Sequence, residues 1–206
     1  MGMGRLTLLT LLGTGLSLPV LAQETVVPEP VSAAVTNYTL DRLAQQPPSQ
    51  VCQGNADWTY ARQHSEVFRL PGSDRQFVIL RCFLASYQTA VQLFELDQTQ
   101  IRPWKLMTYW EPGVITGSAQ PSFRETDQFG ALVTYRPDQN QLTVWSRCRG
   151  LGDCGTYATY RFQDGQFRLT LLRARFLADE SVREAARFAD WQTWPKIYPS
   201  DRSQTP

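Results

Sequence analysis

The sequence is poor in the groups that most often carry chemistry. His64 is the only histidine, so any catalytic triad or cysteine–histidine pair would have to use it. It lies in the polar segment RQHSEV, where an exposed surface histidine is the simplest interpretation. The formal net charge is +1, and only Lys105 and Lys196 are lysines among 20 basic residues. This near-neutral balance disfavours a nucleic-acid partner or a polybasic membrane surface.

Carboxylates also show no catalytic pattern. Seven of them are scattered without a visible pair of the kind that glycosidases use: Asp57, Glu95, Asp97, Glu111, Glu125, Asp127 and Asp153. The cysteines lack a C-x-x-C pair and fit no common zinc motif. We therefore predict no catalytic residue, no cofactor and no metal site.

The N-terminus predicts export. Arg5 precedes an apolar run over residues 6–18, which has the length of a secretory leader and is too short to span a bilayer. Val20 and Ala22 suit the −3 and −1 positions of a cleavage site, and no cysteine follows as a lipoprotein anchor would require. We expect a signal peptide over residues 1–22, a periplasmic or extracellular location, and no transmembrane segment after cleavage.

The rest of the chain predicts one mainly β domain. Residues 23–50 are rich in Pro, Val, Gln and Thr, which indicates a flexible linker with one helical turn near residues 40–44. Short apolar segments separated by turn signals then predict antiparallel strands over a single disulfide-stapled domain, residues 51–199. The capping box of Ser181 and Glu184 predicts a short helix over residues 182–189, followed by a disordered tail, 200–206.

An internal repeat is visible at an offset of 66 positions. RCFLASYQTAVQLFELDQTQIR then aligns without a gap on RCRGLGDCGTYATYRFQDGQFR, with Cys82 on Cys148 and Arg102 on Arg168. We expect two similar antiparallel meanders packed as a sandwich or a partly closed barrel.

Four cysteines in an exported chain predict two disulfides. If RGLGD is a hairpin loop, Cys148 faces Cys154 across the strands. In the first unit of the repeat Gln88 stands where Cys154 would be, which leaves Cys52 for Cys82. We predict the pairs Cys148–Cys154 and Cys52–Cys82 as structural bridges, with a redox or metal role as the less favoured alternative.

The loop SRCRGLGDCGTY permits two interpretations. Its glycines and arginines could cradle an anion, or the glycines could let a short turn close over the disulfide. No helix follows the glycines, so the dinucleotide-binding motif fails on context and the turn is favoured. Arg149 and Asp153 could still contact a partner from this loop.

The predicted hairpin registers divide one sheet into two faces. Cys148 and Cys154 share the core face with six apolar or aromatic residues: Leu142, Val144, Ala158, Tyr160, Leu169 and Leu171. The outer face carries a row of Trp145, Tyr157 and Leu172. A row of Thr143, Thr159 and Thr170 follows, and then one of Gln141, Arg161 and Arg168. Such rows could recognise a polar ligand, or they could be covered by the second meander or by the tail with Trp191 and Trp194.

Three segments stand out as motifs: RGLGDCG, the following Y-x-F-x-D-G-x-F-R-L and the terminal DWQTWPKIY. Together with the upstream RCFLASYQTAVQLF, they resemble the domain of unknown function 1176 family, exported bacterial proteins with no established activity. The resemblance covers most of the chain from about Val51 and implies the compartment and the domain limits. It implies no function, and this chain lacks the additional cysteine expected before the final Trp-Pro.

We therefore expect an exported, non-catalytic binding protein of the cell envelope. Its partner would be an envelope protein, a glycan or a small polar ligand. The candidate binding residues are Trp145, Tyr157, Arg149, Asp153, Arg161 and Arg168. The alternative is an envelope hydrolase that acts on glycan or cell-wall material through a carboxylate pair.

Overall fold

A computed structural model describes residues 27–86, 88–110, 122–148, 154–175 and 190–198. The predicted leader, the helix over residues 182–189, the tail, Arg149 and Asp153 lie outside these ranges and stay predictions. Within them the fold is mainly β, with antiparallel sheets that form a sandwich-like arrangement rather than a closed barrel. The predicted fold class is confirmed.

The first sheet is formed mainly by the N-terminal half of the chain. Its strands pair in the order β1-β2-β3-β4-β5, and β8 also pairs with β4 on the edge that β5 occupies. The bounds are β1 Glu29–Pro30, β2 Glu66–Arg69, β3 Gln76–Leu84, β4 Thr89–Leu96, β5 Ile101–Pro103 and β8 Gln128–Gly130.

The second sheet is formed by the C-terminal half. Its order is β13-β12-β11-β10-β9, and a separate two-stranded ribbon, β6–β7, lies between the halves in sequence. The bounds are β6 Leu106–Trp110, β7 Ser122–Thr126, β9 Leu132–Arg136, β10 Gln141–Arg147, β11 Gly155–Gln163, β12 Gln166–Arg175 and β13 Lys196–Tyr198.

The core lies between the two sheets because each strand alternates apolar residues toward it. Phe77, Ile79 and Leu93 of the first sheet join Val144 and Tyr160 of the second in one buried cluster. Only Ala131, itself fully buried, separates β8 in the first sheet from β9 in the second. The chain therefore joins the sheets directly at one end of the sandwich.

Two helices cover the other face of the first sheet. Helix α1, Ala33–Ala44, begins at Ser32, whose hydroxyl accepts a hydrogen bond from a first-turn amide, and it buries Leu40 and Leu43 against the sheet. Helix α2 spans Trp58–His64. Composition had predicted a flexible linker with one helical turn here. The structure has three helical turns, and the helix packs on the sheet because Leu40 and Leu43 lie on one of its faces.

Both predicted disulfides are present. Cys52 and Cys82 have a Cα–Cα distance of 5.7 Å, and Cys148 and Cys154 a distance of 5.5 Å. The first bridge ties the segment between the helices to β3 of the first sheet. The second closes the hairpin between β10 and β11.

The hairpin registers follow the prediction closely. Strands β10 and β11 pair from Gln141 opposite Arg161 to Trp145 opposite Tyr157. Strands β11 and β12 meet at a two-residue Asp-Gly turn in which both residues have positive φ, 51° and 77°. That conformation is the one an Asp-Gly hairpin turn requires.

The predicted β11–β12 register is wrong from Thr159 back to Tyr157, where three predicted pairs are displaced by one residue. A register shift between Thr159 and Tyr160 inserts an extra residue into β12, so that Leu172 and not Leu171 points into the core. On the outer face Arg173, and not Leu172, is the neighbour of Tyr157. The outer row is therefore more polar than the sequence predicted.

The registers of the two sheets can be compared at the offset of 66. Glu66 pairs with Ile79, and Leu132 pairs with Trp145, which are the positions 66 residues further along. The β4–β5 and β11–β12 pairs agree in the same way. The middle hairpins differ by two residues, because Gln76 pairs with Leu96, whereas Leu142, its counterpart, pairs with Tyr160, the counterpart of Phe94. A duplicated meander would have this geometry, and the duplication itself stays a prediction.

Substituting Gly155 should test the β10–β11 hairpin. Its φ is +131°, and a β-carbon there would overlap the carbonyl oxygen of Ser146. We expect Gly155→Ala to lower the free energy of unfolding by about 2 kcal/mol or more, measured by urea denaturation. The matched control is Gly130→Ala, whose β-carbon would meet only the mobile end of the Gln88 side chain. Equal effects of the two substitutions would contradict the prediction.

Candidate functional site

The outer face of the second sheet carries the predicted polar and aromatic rows. Trp145 and Tyr157, here called the aromatic pair, lie directly opposite each other, and the guanidinium of Arg147 lies 5.5 Å from the Trp145 ring centroid. Arg161 and Arg168 pair across β11 and β12, and both are exposed. The structure therefore brings together four of the predicted binding residues on one face.

The C-terminal segment covers part of this face. Trp191 stacks on Tyr157 with ring centroids 3.5 Å apart and an interplanar angle of 9°. Arg173 donates a hydrogen bond to the Trp194 carbonyl at 2.6 Å. Burial raises the pKa of Tyr157, although a hydrogen bond with Thr143 acts in the opposite direction. Tyr157 thus holds the C-terminal segment in place, in line with the alternative that the tail with Trp191 and Trp194 covers this face.

A cleft of about 750 Å³ opens at the end of the sandwich opposite Ala131. It lies between the ends of β4 and β5, the β6–β7 ribbon, the start of β12 and the end of β13. We call it the ribbon cleft. Its lining residues are Arg75, Glu95, Pro103, Trp104, Lys105, Met107, Phe123, Glu125, Gly165, Gln166, Phe167, Arg168, Leu169 and Tyr198.

Rigid aromatic rings line the inner part of the ribbon cleft. Phe167 and Trp104 are nearly buried, with ring centroids 5.7 Å apart, and Phe77 of the first sheet packs against both, at 4.8 and 5.3 Å. Edge-to-face and tilted packing of this kind fixes ring orientation. The inner wall therefore presents a preformed apolar surface.

The outer part of the ribbon cleft is lined by exposed rings. Phe123 is 45% exposed and Tyr198 is 41% exposed, values that are unusual for large hydrophobic side chains in this structure. Phe123 is held edge-to-face by Tyr109, with ring centroids 5.3 Å apart. Exposed aromatic rings with a fixed orientation are suited to stacking against the apolar face of a ligand.

Charged groups complete the lining. Arg75 donates a hydrogen bond to Glu95 at 2.6 Å, and this ion pair is partly exposed at its carboxylate. Arg168 makes a longer, exposed contact of 3.2 Å with Asp164. A paired guanidinium and carboxylate offer donors and acceptors side by side, so the cleft can hydrogen-bond a neutral, hydroxyl-rich ligand as well as a charged one.

A hydrogen bond and core packing fix the ribbon to the second sheet, since Leu106 of β6 is buried in the cluster that both sheets share. The hydroxyl of Tyr160, a fully buried residue of β11, donates to the carbonyl of Met107 at 2.7 Å. Met107 pairs with Glu125 in the ribbon, and both line the cleft. This hydrogen bond and the burial of Leu106 therefore set the position of one wall.

Other candidates from the sequence lie away from the cleft. His64 is the exposed last residue of α2, with its ring 4.3 Å from that of Tyr60, and it does not line the cleft. Within the described ranges, no three His, Cys, Asp or Glu side chains are grouped so that they could hold a metal ion.

Sequence reasoning found only part of the cleft. Of its lining residues, Arg168 was a predicted binding residue, and Glu95 and Glu125 were noted only as isolated carboxylates. The exposed rings of Phe123 and Tyr198 were missed because they come from segments far apart in sequence. The available signal was an aromatic residue close to charged residues, as in FRE at residues 123–125 and KIY at residues 196–198. This signal is weak.

The fold and the cleft define a mainly β protein stapled by two disulfides, with a preformed surface site at one end of its sandwich. The chain belongs to the family described as a protein of unknown function (DUF1176), whose sequence model matches residues 15–198. No curated protein and no solved structure matches it significantly. Among the described residues, no helix has the length and apolar character needed to cross a membrane.

Two tyrosines should make the folded state less stable at alkaline pH. Burial raises the pKa of both Tyr160 and Tyr135, so the folded state favours the neutral phenol. The unfolded chain loses these protons first, and we expect stability to fall as the pH rises above about 10. Urea unfolding at several pH values measures this, and Tyr135→Phe should flatten the alkaline loss.

At neutral pH, replacing each of the two tyrosines by phenylalanine should change the free energy of unfolding by different amounts. Tyr160→Phe leaves the Met107 carbonyl without its donor and should cost about 1–3 kcal/mol of folding free energy. Tyr135 has a buried hydroxyl without a hydrogen-bond partner, so Tyr135→Phe should be close to neutral. Equal destabilisation of the two variants at pH 7 would contradict this assignment.

Proposed function

We propose that this protein is an exported, non-catalytic binding protein of the cell envelope that holds a glycan in the ribbon cleft. The observation that carries the proposal is the combination of exposed rings at Phe123 and Tyr198 with the Arg75–Glu95 ion pair in one cleft. Export is supported by the leader-like pattern of residues 1–22 and by the two disulfides, which are typical of oxidising compartments.

The chemistry of the cleft favours a glycan over other polar ligands. A pyranose ring has an apolar C–H face and an edge of hydroxyl groups. The rings of Phe123 and Tyr198 can cover the face, while Arg75 donates to and Glu95 accepts from neighbouring hydroxyls. A volume of about 750 Å³ is within the range of small-ligand sites and accommodates more than one sugar unit.

The residues predicted from the sequence have different roles in this proposal. Arg168 lines the cleft and contacts the ligand, and Arg161 beside it extends the polar surface outward. Tyr157 positions the C-terminal segment that carries Tyr198, through its stack with Trp191. Arg149 and Asp153 remain candidate contacts for a protein partner at the β10–β11 loop.

Removing the exposed rings should weaken glycan binding. We expect Phe123→Ala and Tyr198→Ala each to raise the Kd for soluble oligosaccharides from a cell-wall digest by roughly tenfold, since a lost stacking contact corresponds to about 1–1.5 kcal/mol. Isothermal titration calorimetry with separated oligosaccharide fractions measures this.

The matched control is Tyr38→Ala. Tyr38 is an aromatic residue of α1 that is 66% exposed and does not line the cleft, so its removal should leave binding unchanged. Loss of binding in all three variants, or in none, would count against the ribbon cleft as the glycan site.

An envelope hydrolase is the second candidate, because Glu95 and Glu125 both line the same cleft. As general acid and base, they would cleave the glycan that the rings hold. If this is correct, the wild-type protein releases new reducing ends from cell-wall material, and Glu125→Gln removes that activity while oligosaccharide binding is kept. If no reducing ends are released at protein concentrations that bind the oligosaccharides, the hydrolase candidate is rejected and glycan binding stays the proposed function.

A further inference from the structure

A second cleft, of about 410 Å³, lies on the other side of Pro103 from the ribbon cleft. It is formed by the segment after α1, by β4 and β5, and by the residues that lead into β8. Among the described residues that line it, Asp127 is the one charged residue, and the others are amides such as Gln92, one serine and apolar side chains such as Phe94 and Ile101. We call it the amide cleft.

The carboxylate of Asp127 is held in place by a buried side chain. Gln92 is only 2% exposed, and its amide nitrogen donates to the Asp127 carboxylate at 2.7 Å and to the Gln50 carbonyl at 3.3 Å. Its amide oxygen accepts from the backbone of Cys52 at 2.6 Å. Cys52 is itself fixed by its disulfide to Cys82. The carboxylate is therefore oriented before any ligand arrives.

This carboxylate has no counter-ion in the described part of the chain. No ion pair joins Asp127 to a lysine, arginine or histidine there, and no cationic residue lines the amide cleft. A partly buried carboxylate without a cation is costly unless hydrogen bonds or a ligand compensate it. Gln92 supplies one donor, and a cationic ligand would supply the charge.

The remaining lining selects among cations. A metal ion prefers several anionic or imidazole ligands, and among the described residues no three His, Cys, Asp or Glu side chains are grouped in that way. A primary ammonium carries three donors and no acceptor, which suits one carboxylate oxygen and the neighbouring carbonyl or amide oxygens of Gln50 and Gln128. The apolar side chains of Phe94 and Ile101 lie in the same cleft and can pack against methylene groups.

We propose that the amide cleft binds a primary alkylammonium group, with Asp127 as its anionic partner and Gln92 as the residue that positions Asp127. The group could be carried by a free polyamine or by the side chain of a diamino acid in a peptide. This proposal is independent of glycan binding, since the two clefts share only Pro103 among their lining residues.

The test is a titration of the mature, oxidised protein with 1,5-diaminopentane and with its neutral analogue 1,5-pentanediol. We expect the diamine to bind and the diol to fail, and Asp127→Asn to raise the diamine Kd by roughly tenfold or more, as the loss of a charge-assisted hydrogen bond implies. Asparagine still offers an oxygen to Gln92, so the fold should be kept. Asp138→Asn, at an exposed turn before β10, is the matched control and should bind the diamine normally.

A second readout keeps the test valid if the variant is unstable. The side-chain amide resonances of Gln92 in the wild-type protein should shift on addition of diamine and not of diol. Tighter binding of Nα-acetyl-lysine amide than of diamine would assign the ammonium to a peptide, and the reverse to a free polyamine. Equal binding of diamine and diol, equal binding by Asp127→Asn, or an unshifted Gln92 would overturn the proposal. Phe123→Ala should not affect this titration, so its outcome is separate from that of the glycan site.

Discussion

Phe167 holds the two sheets together at the end where the ribbon cleft opens. Its ring packs against Phe77 of the first sheet at 4.8 Å and against Tyr135 and Phe162 of the second at 5.5 and 5.4 Å. The backbone at Ala131 joins the sheets at the opposite end, and Phe167 supplies side-chain packing between them at the far end. Because Phe167 and Trp104 also line the cleft, the packing that closes the core forms the inner wall of the site.

The ribbon cleft exists because its outer wall is separate from both sheets. Among the described strands β6 and β7 pair only with each other, and the ribbon contacts the second sheet through the Tyr160 hydrogen bond to Met107 and through the buried Leu106. Tyr198 arrives from the opposite side on β13, whose segment is held by Trp191 stacked on Tyr157. The hydrogen bond, the burial of Leu106 and the aromatic stack thus hold the elements that carry the two exposed rings.

The sequence was informative where structure is local. The Asp164–Gly165 turn, the β10–β11 register and the Cys148–Cys154 bridge were predictable because each depends on residues close in sequence or on a period of two. The Cys52–Cys82 bridge spans 30 residues and was reached by elimination. The shift near Thr159 was not, since one additional residue in β12 has no distinctive composition. It moved Leu172 into the core and placed Arg173 beside Tyr157.

The candidate site was less predictable for a related reason. Glu95, Phe123 and Tyr198 approach one another only after two sheets, a ribbon and a terminal strand have assembled, and no spacing in the chain records that. The same holds for Asp127, which looked like one more scattered carboxylate. The environment of Asp127 depends on Gln92, a polar residue inside the apolar strand AVQLFEL. A buried side-chain amide in such a strand needs hydrogen-bond partners for both its oxygen and its nitrogen.

The Cys52–Cys82 bridge connects these observations to the compartment. It fixes the segment whose backbone amide donates to Gln92, and Gln92 in turn orients Asp127. In a reducing environment the bridge opens, and the Cys52 amide that donates to Gln92 loses one of the restraints on its position, although the hydrogen bond from the Asp57 amide to the Cys82 carbonyl still links the segment to β3. We therefore expect reduction to loosen the amide cleft more than the ribbon cleft, whose described lining includes no cysteine.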